Sequence, residues 1–506
     1  MRILLTIIAL LSISVQAKDI ELRNNSGSVY YEIFIRSFAD SDGDGIGDIN
    51  GIIGKLDYLQ QLGIHGIWLT PFHQSPSYHK YDVVDYASVD KEYGTIDDVR
   101  KLINEAHKRD ISIIMDFVVN HTSNQHPWFL DAVKNPVSKF RNYYIWASEA
   151  ESHRWQAQPY NQGLPWQWHK VDSGNIQAGR YYGFFWRGMP DLNYDNPEVR
   201  KEIIKYGTFW LRDIGIDGFR LDAAQHIYDL NEHEKSRAWW NEFRSAMETI
   251  NPNIYLVGEI VNSDSIVSGY FTGLKANFHF DLGRSIVNMV RDESIPANFV
   301  DGLAKSIQAH KQIRKDCIDA IFLTNHDQNR IMSELAGNQH HAAMAATILL
   351  TLPGQPFLYY GEEIGMMGQK PDESIREPIR WTQAGNNGTT KWRMASYHTE
   401  VHQSVDQALK DYASLFHVYK NAIAVRQNHA ALLNGDLHVV MLNPALLSFT
   451  RSTKNEELLV IHNITSKEQS FSIQGYDIIE TIALSSFKGN KPNVINPYST
   501  IILKKK

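Results

Sequence analysis

The sequence predicts an α/β protein built on a closed (β/α)₈ TIM barrel, with a domain inserted after the third strand and an antiparallel β-sandwich at the C-terminus. Strand-like apolar runs alternate with helical patterns through most of the 506 residues, which is typical of a parallel sheet covered by helices. Eight such runs suggest that the sheet closes. The strand candidates are residues 29–35, 66–69, 111–119, 218–221, 254–257, 276–280, 318–324 and 356–360.

Helical patterns separate most of these runs, for example over residues 96–109, 198–214 and 235–250. They assign the barrel to residues 18–121 and 194–432. Residues 122–193 show no clean strand–helix unit and are rich in Trp, Tyr, Gly and Pro, as in Trp166-Gln-Trp168. A structureless loop of that length is implausible in a compact domain, so we expect an inserted domain that forms one wall of a cleft.

The C-terminal segment, residues 433–506, follows a helical pattern over residues 412–426 and changes to alternation with turn signals. This period of two predicts antiparallel strands packed as a sandwich. The candidates are residues 437–442, 447–451, 458–462, 468–473 and 499–503.

Composition and the N-terminus restrict the class of protein. The formal net charge of −7 without long runs of one sign argues against a nucleic-acid partner. The N-terminus predicts a signal peptide over residues 1–17. It has a positive residue, Arg2, then an apolar run over residues 3–15 and small residues ending at Ala17. The run is short for a membrane anchor, the alternative reading. We therefore expect an exported protein, periplasmic or extracellular, with monomers favoured. Its one cysteine, Cys317, leaves no internal disulfide.

Three carboxylates follow strand candidates, in Gly218-Phe-Arg-Leu-Asp222, Gly258-Glu259 and Asn325-His-Asp327; a fourth motif is Asp116-Phe-Val-Val-Asn-His121. The carboxyl ends of barrel strands carry the chemistry of this fold. A retaining glycosidase needs a nucleophilic carboxylate and a second carboxyl group about 5–5.5 Å away that acts as acid and then as base. These motifs predict that chemistry.

The sequence surroundings of Asp222 and Glu259 suggest different roles for these two carboxyl groups. Arg220 lies two residues before Asp222, on the same strand face, and a nearby guanidinium lowers a carboxyl pKa. We expect Asp222 to stay ionised, as a nucleophile must. Glu259 follows the apolar run Tyr-Leu-Val-Gly, where burial raises a carboxyl pKa, as a general acid requires.

With these four motifs in order, the chain after the signal resembles the α-amylase family of glycoside hydrolases (family 13). The resemblance implies that Asp222 is the nucleophile, that Glu259 is the acid/base and that Asp327 is the third catalytic carboxylate. It also implies that His121 and His326 bind the sugar at the cleavage subsite. Further substrate-site candidates are Arg220, Tyr81 as a stacking platform in His79-Lys-Tyr-Asp82, and Asp82 as a hydroxyl contact.

A metal loop is indicated by Asp40-Ser-Asp42-Gly-Asp44-Gly45-Ile46-Gly-Asp48. Oxygen ligands at alternating positions with Gly at the sixth suit Ca²⁺, and Gly51 rather than Glu at the twelfth argues against an EF-hand. The segment resembles the calcium or magnesium loop of oligo-1,6-glucosidase-like members. The expected ligands are the side chains of Asp40, Asp42, Asp44 and Asp48 and the carbonyl of Ile46. The alternative is an Asp/Gly turn without metal.

The segment Met189-Pro-Asp-Leu-Asn193 resembles the signature of a subfamily intermediate between oligo-1,6-glucosidases and neopullulanases. Ala223 follows the nucleophile, and a small residue at this position accompanies α-1,4 preference in the glucosidase branch of the family. Gln225 stands where many α-amylases have Lys. We expect retaining hydrolysis of α-1,4 bonds in starch, glycogen or malto-oligosaccharides. The alternatives are an exo-acting α-glucosidase or oligo-1,6-glucosidase, a neopullulanase-like maltodextrin hydrolase, transglycosylation, and, in another class, a non-catalytic carbohydrate-binding or transporter-associated protein.

Overall fold

Eight parallel strands close into a barrel in a computed structural model that describes residues 27–171, 179–396, 404–484 and 493–506. The predicted signal peptide lies outside the described residues. The strands, numbered along the described chain, are β1 (Tyr30–Ile33), β2 (Gly66–Leu69), β3 (Ser112–Phe117), β4 (Trp146–Ala147), β5 (Trp168–Lys170), β6 (Arg180–Tyr182), β7 (Gly218–Leu221), β8 (Tyr255–Gly258), β9 (Ala276–Phe278), β10 (Ile318–Phe322), β11 (Gln355–Tyr359), β12 (Asp436–Val439), β13 (Leu446–Ser452), β14 (Glu457–Asn463), β15 (Gln469–Ser470), β16 (Tyr476–Ala483), β17 (Val494–Ile495) and β18 (Ser499–Lys505).

The barrel order is β1, β2, β3, β7, β8, β9, β10 and β11, which pairs back onto β1. All eight strand candidates from the sequence are confirmed, with ends that differ by at most a few residues. The predicted barrel with a C-terminal antiparallel sheet is therefore the observed fold.

Most of the described helices cover the outside of the barrel, and two lie in the insertion between β3 and β7. They are α1 (Ile35–Phe38), α2 (Ile49–Ile53), α3 (Leu56–Leu62), α4 (Ile96–His107), α5 (Pro127–Lys134), α6 (Glu149–Gln156), α7 (Pro197–Thr208), α8 (His233–Glu248), α9 (Asp264–Tyr270), α10 (Phe280–Arg291), α11 (Phe299–Ile313), α12 (Ile331–Glu334), α13 (Gln339–Thr351), α14 (Asp372–Ile375), α15 (Val405–Ala408), α16 (Leu415–Asn428) and α17 (Ala430–Asn434). The helix predicted over residues 198–214 continues past α7 as a π-helical segment, Phe209–Ile214. Among the described residues, no helix is long and apolar enough to cross a membrane.

Aromatic rings fill the inside of the barrel. The ring of Tyr30 stacks between those of Tyr255 and Phe357, with centroids 5.3 and 4.9 Å away. Gly66 on β2 makes this possible, because a Cβ atom there would lie 2.3 Å from the Tyr30 ring. These packed rings fill the interior of the barrel, so the open space lies at the carboxyl ends of the strands.

The insertion between β3 and β7 contains a small antiparallel sheet in the order β4, β6, β5. The C-terminal part has a five-stranded sheet, β12-β13-β14-β18-β16, and a two-stranded sheet, β15-β17. Three strands of the C-terminal part differ from the sequence prediction. The strand expected over 468–473 shortens to β15, and the two-residue β17 was not predicted. Strand β16 was missed because its exposed residues show no clean alternation. The domain boundaries drawn from the sequence stay predictions.

Candidate active site

The candidate catalytic groups meet at the carboxyl ends of β3, β7 and β8 and in the loop after β10. There they border a cavity of about 300 Å³. Its lining residues are His79, Tyr81, His121, Phe185, Trp186, Met189, Asp222, Glu259, Asp327, Asp372 and Arg376. The three predicted catalytic carboxylates therefore share one cavity, as the strand-end argument expected.

Arg220 on β7 lies beneath this cavity and holds three carboxylates. Its Nη1 donates to Asp116 Oδ1 at 2.7 Å and to Asp222 Oδ1 at 2.6 Å. Its Nη2 lies 2.7 Å from Glu259 Oε1. The guanidinium is almost fully buried, and a planar cation with fixed donors fits this task in a way that Lys cannot. Asp222 and Glu259 are thus tied to neighbouring nitrogens of one rigid group.

Burial controls the protonation of both carboxylates. It raises the pKa of Glu259, as expected for a general acid. It also raises the pKa of Asp222, whereas the sequence analysis expected a lowering by Arg220. Arg220 does lower that pKa, but the loss of water around the buried carboxyl outweighs it. The guanidinium therefore favours the ionised form of Asp222, and its role as a nucleophile stays a prediction.

Asp327 belongs to a second charged group. Arg376 Nη2 donates to Asp327 Oδ1 at 2.8 Å, and His326 Nε2 lies 3.0 Å from Oδ2. Burial alone would raise the pKa of Asp327, but His326 and Arg376 hold it well below its usual range. Burial lowers the pKa of His326, yet Asp327 and Glu32 together raise it to about 10. His326 and Arg376 thus hold Asp327 in its anionic form.

Tyr81 lines the cavity and connects the two charged groups. Its ring is stacked on that of His326, with centroids 5.4 Å apart and an angle of 10°. Its hydroxyl donates to Asp116 Oδ2 at 2.9 Å and lies 2.6 Å from His326 Nε2. The stacking contact and the hydroxyl contacts hold the ring in place, which suits the predicted role of Tyr81 as a platform on which a sugar stacks.

The other predicted substrate residues divide into lining and supporting positions. His121 lines the cavity, and its Nε2 lies 3.1 Å from the Tyr81 carbonyl. Arg220 and His326 are buried just behind the lining. Asp82 is also buried, and its Oδ1 accepts hydrogen bonds from Ser75 and Ser77. The structure therefore places Asp82 where it orders the loop that carries Tyr81, outside the lining.

Sequence reasoning missed four residues of this network: Asp116, Arg376, Glu32 and Trp68. Asp116 is the first residue of the motif that ends in His121. Because it lies inside an apolar run, it was interpreted as part of the strand and not as a site residue. Glu32 on β1 bonds His326 Nδ1, and Trp68 Nε1 donates to Asp116 Oδ2 at 3.2 Å. A charged residue within a buried barrel strand was the available signal, since such a residue needs a partner.

The insertion supplies the aromatic wall of the cavity. Phe185 and Trp186 are 45% and 48% exposed, unusual for large apolar side chains. Gln225, at the position where many α-amylases have Lys, is buried and does not line the cavity. Its Oε1 accepts from Asn262 Nδ2 at 3.3 Å, and its Nε2 lies 3.1 Å from His226 Nε2. The wall is therefore aromatic and uncharged at these positions.

The acidic loop after α1 brings part of its predicted ligand set together. Carboxylate oxygens of Asp40, Asp42 and Asp48 lie within 4.8 Å of one another. Asp44 is outside this group, and its Oδ1 accepts from the Ile46 N–H at 2.7 Å. Three carboxylates in a tight loop are an all-oxygen donor set, the kind that Ca²⁺ and Mg²⁺ prefer.

Comparisons with known proteins agree with this geometry. Residues 32–435 match the family described as "Alpha amylase, catalytic domain", and residues 446–502 match "Alpha-amylase SusG C-terminal domain". The chain is 40% identical to Alpha-amylase 3 of Dictyoglomus thermophilum, over 94% of this chain and 93% of that protein. It is 30% identical to an oligo-1,6-glucosidase of Parageobacillus thermoglucosidasius, over 90% and 92%. The crystal structure of an α-amylase from H. orenii superposes with a TM-score of 0.86 at 38% identity, covering 95% of this chain and all of the other.

The His326 network predicts a pH dependence of stability. Protonated His326 stabilises the fold fully below its unfolded-state pKa of about 6.5, and this contribution disappears as pH rises through about 10. Asp327, with a lowered pKa, contributes only above about pH 4 and loses this as pH falls. The melting-temperature gap between the wild type and His326→Gln should therefore be widest at pH 5–6.5 and narrow towards pH 10.

Thermal unfolding of both proteins across pH 5–10 measures this gap. His153→Gln is the matched control, because His153 is exposed. A gap that stays constant across the range would show that His326 stabilises the fold only by packing.

Proposed function

This chain belongs to the α-amylase family of glycoside hydrolases, and we propose that it is a retaining α-amylase that hydrolyses α-1,4-glucosidic bonds in starch, glycogen or malto-oligosaccharides. The observation that carries the proposal is the pair Asp222 and Glu259, held by one buried guanidinium at the edge of a cavity. Membership of an enzyme family sets aside the non-catalytic alternative.

In the proposed mechanism, Asp222 attacks the anomeric carbon while Glu259 protonates the leaving glycosidic oxygen. The resulting glycosyl-enzyme is then hydrolysed by a water molecule that Glu259 deprotonates. Arg220 stabilises the charge on Asp222 before attack and after release. Asp327, held as an anion by His326 and Arg376, accepts hydroxyl hydrogen bonds from the sugar that stacks on Tyr81.

The preference for α-1,4 bonds is the finer part of the proposal. Ala223 follows the nucleophile and leaves a small side chain beside Asp222, and Met189 lines the cavity. The relatives compared above include both an α-amylase and an oligo-1,6-glucosidase. An exo-acting α-glucosidase therefore remains the second candidate function, favoured by the second of these relatives.

We also propose that the loop of Asp40, Asp42 and Asp48 holds Ca²⁺, or Mg²⁺, with Asp44 and the Ile46 carbonyl as further ligands. Backbone hydrogen bonds join this loop to a distant segment: Asp40 N–H donates to the Gly388 carbonyl at 2.8 Å and Lys391 N–H to the Gly45 carbonyl at 2.7 Å. A bound cation would hold both segments together and stabilise the fold. Export through the predicted signal peptide is part of the same proposal.

Substitution of each carboxylate separates the proposed roles of Glu259 and Asp222. Glu259→Gln should lower kcat on amylose by about 10²–10⁴-fold, because the leaving oxygen is no longer protonated. It should form the glycosyl-enzyme from α-maltosyl fluoride at close to the wild-type rate, because fluoride leaves without a proton. Asp222→Asn should form none from either substrate. Single-turnover mass spectrometry measures the intermediate, with Asp97→Asn, an exposed acid on α4, as the control.

Two results would contradict these roles. One is near-normal turnover in either variant. The other is a β-anomeric first product by proton NMR, which would exclude the retaining route.

Removal of the cation should lower the melting temperature. A ligand at about 100 times its Kd stabilises the folded state by about 2.7 kcal/mol, so a chelator should abolish that gain and added Ca²⁺ should restore it. Asp42→Asn should reduce the Ca²⁺ response, whereas Asp97→Asn should leave it intact. Scanning calorimetry with and without chelator makes the measurement, and an unchanged melting temperature would refute the site.

Cleavage of a maltoheptaoside blocked at its non-reducing end separates the two candidate functions. The exposed aromatic wall leaves the cavity open, so we expect cleavage of both the blocked and the unblocked sugar, detected by chromatography of the products. An exo-acting enzyme would cleave only the unblocked sugar. Cleavage of isomaltose-type oligosaccharides in preference to both would exclude the α-1,4 assignment.

A further inference from the structure

A second cavity lies between the inserted sheet and the loop that follows β7, and it shares no lining residue with the catalytic cavity. Its volume is about 520 Å³, compared with about 300 Å³ for the catalytic one. Ligand pockets in proteins typically measure about 300–1,000 Å³. The space is therefore large enough for an oligosaccharide of a few units.

Aromatic side chains form the wall on the side of the insertion. Trp155 on α6, Trp168 on β5 and Tyr182 on β6 pack edge to face, with ring centroids 5.2–6.1 Å apart. Trp168 is 5% exposed, and all three rings line the cavity. The insertion therefore offers the cavity a mainly aromatic surface.

The opposite wall comes from the barrel and is polar. Tyr228, Asp229 and Glu232 line it, and Asp229 Oδ2 accepts from Trp155 Nε1 at 3.1 Å, which connects the two walls. Tyr228 and Glu232 are partly exposed at the cavity. Carboxylates opposite aromatic faces can bind a ligand that offers both hydroxyl groups and apolar C–H faces.

Charge excludes other ligand classes. In the part of the chain that the structure describes, no Lys, Arg or His lines this cavity. Lys235 beside it is paired with Glu232 at 2.7 Å, so the lining itself offers no cation to a phosphate or another anion. Among the described residues, the acidic groups close enough to share a metal ion are those of the Asp40 loop. A neutral polyhydroxylated ligand is what remains, and the C–H face of a pyranose stacks on electron-rich aromatic faces.

We propose that this cavity is a second binding site for α-1,4-glucan, separate from the catalytic cavity. The choice of glucan rests on the proposed function. The site would hold one part of a long polymer while another part enters the catalytic cavity, which raises the local substrate concentration at the active site.

Affinity electrophoresis in gels containing amylopectin tests the proposal. The parent protein is Glu259→Gln, whose expected loss of turnover limits digestion of the amylopectin during the run. Tyr228→Ala in this background should bind amylopectin about three- to tenfold more weakly, the range expected for losing one aromatic contact. Tyr228→Phe should restore binding because it keeps the ring. Tyr412→Ala is the matched control, since Tyr412 is 87% exposed and does not line this cavity.

Two further variants keep the result decisive. Glu232→Ala removes a side chain from the polar wall and should weaken binding even if Tyr228→Ala fails to fold, as judged by its melting temperature. Trp186→Ala reports the share of binding due to the catalytic cavity. Unchanged retention in both Tyr228→Ala and Glu232→Ala, with loss only in Trp186→Ala, would overturn the second site.

The same gels separate failure of this site from failure of the proposed function. Retention in dextran but not in amylopectin would overturn the choice of α-1,4-glucan. If wild-type protein leaves amylopectin uncleaved yet the Tyr228 series behaves as expected, the second site stands and the proposed activity falls. If wild-type protein cleaves amylopectin and no variant alters binding, the proposed activity stands and the second site falls.

Discussion

The candidate site depends on one buried cation, the guanidinium of Arg220. It lies inside the barrel mouth with its carbon 5.1 Å from the ring centre of Trp68, and it bonds three carboxylates. Burying a charge without partners costs a large free energy. Removing one partner from a buried set of charges is also unfavourable, because the remaining charges are left uncompensated. The buried charge of Arg220 therefore needs these carboxylates as partners, and the same bonds fix the positions of Asp222 and Glu259.

A second consequence is that the charges form one connected network. Asp116 accepts from Arg220 and from the Tyr81 hydroxyl, and that hydroxyl also lies against His326, which contacts Glu32 and Asp327. The network thus joins β1, β3, β7 and the loop after β10. A change in the charge of one member alters the pKa of the others, so the protons of this site belong to the network rather than to single residues.

The sequence could predict the barrel and the strand-end carboxylates because both depend on local pattern. Apolar runs mark buried strands, and residues that follow them at a barrel mouth must meet. The pKa of Asp222 could not be predicted, since it depends on how far burial outweighs Arg220, and burial is a property of the whole fold. Glu32 and Asp116 were missed for a related reason: inside an apolar run, a charged residue shows its partner only in three dimensions. Strand β16 was missed because its alternation is poor.

The barrel and the insertion contribute different parts of the candidate site. The candidate catalytic carboxylates Asp222 and Glu259 and their cation Arg220 lie on or directly after barrel strands, whose pairing in the closed barrel fixes them. Phe185, Trp186 and Met189, which form the cavity wall, come from the insertion between β3 and β7. Relatives named as an α-amylase and as an oligo-1,6-glucosidase align with 94% and 90% of this chain, barrel included. A substitution in the wall would reshape the cavity without removing a partner from Arg220, so the wall and the charged network can vary independently.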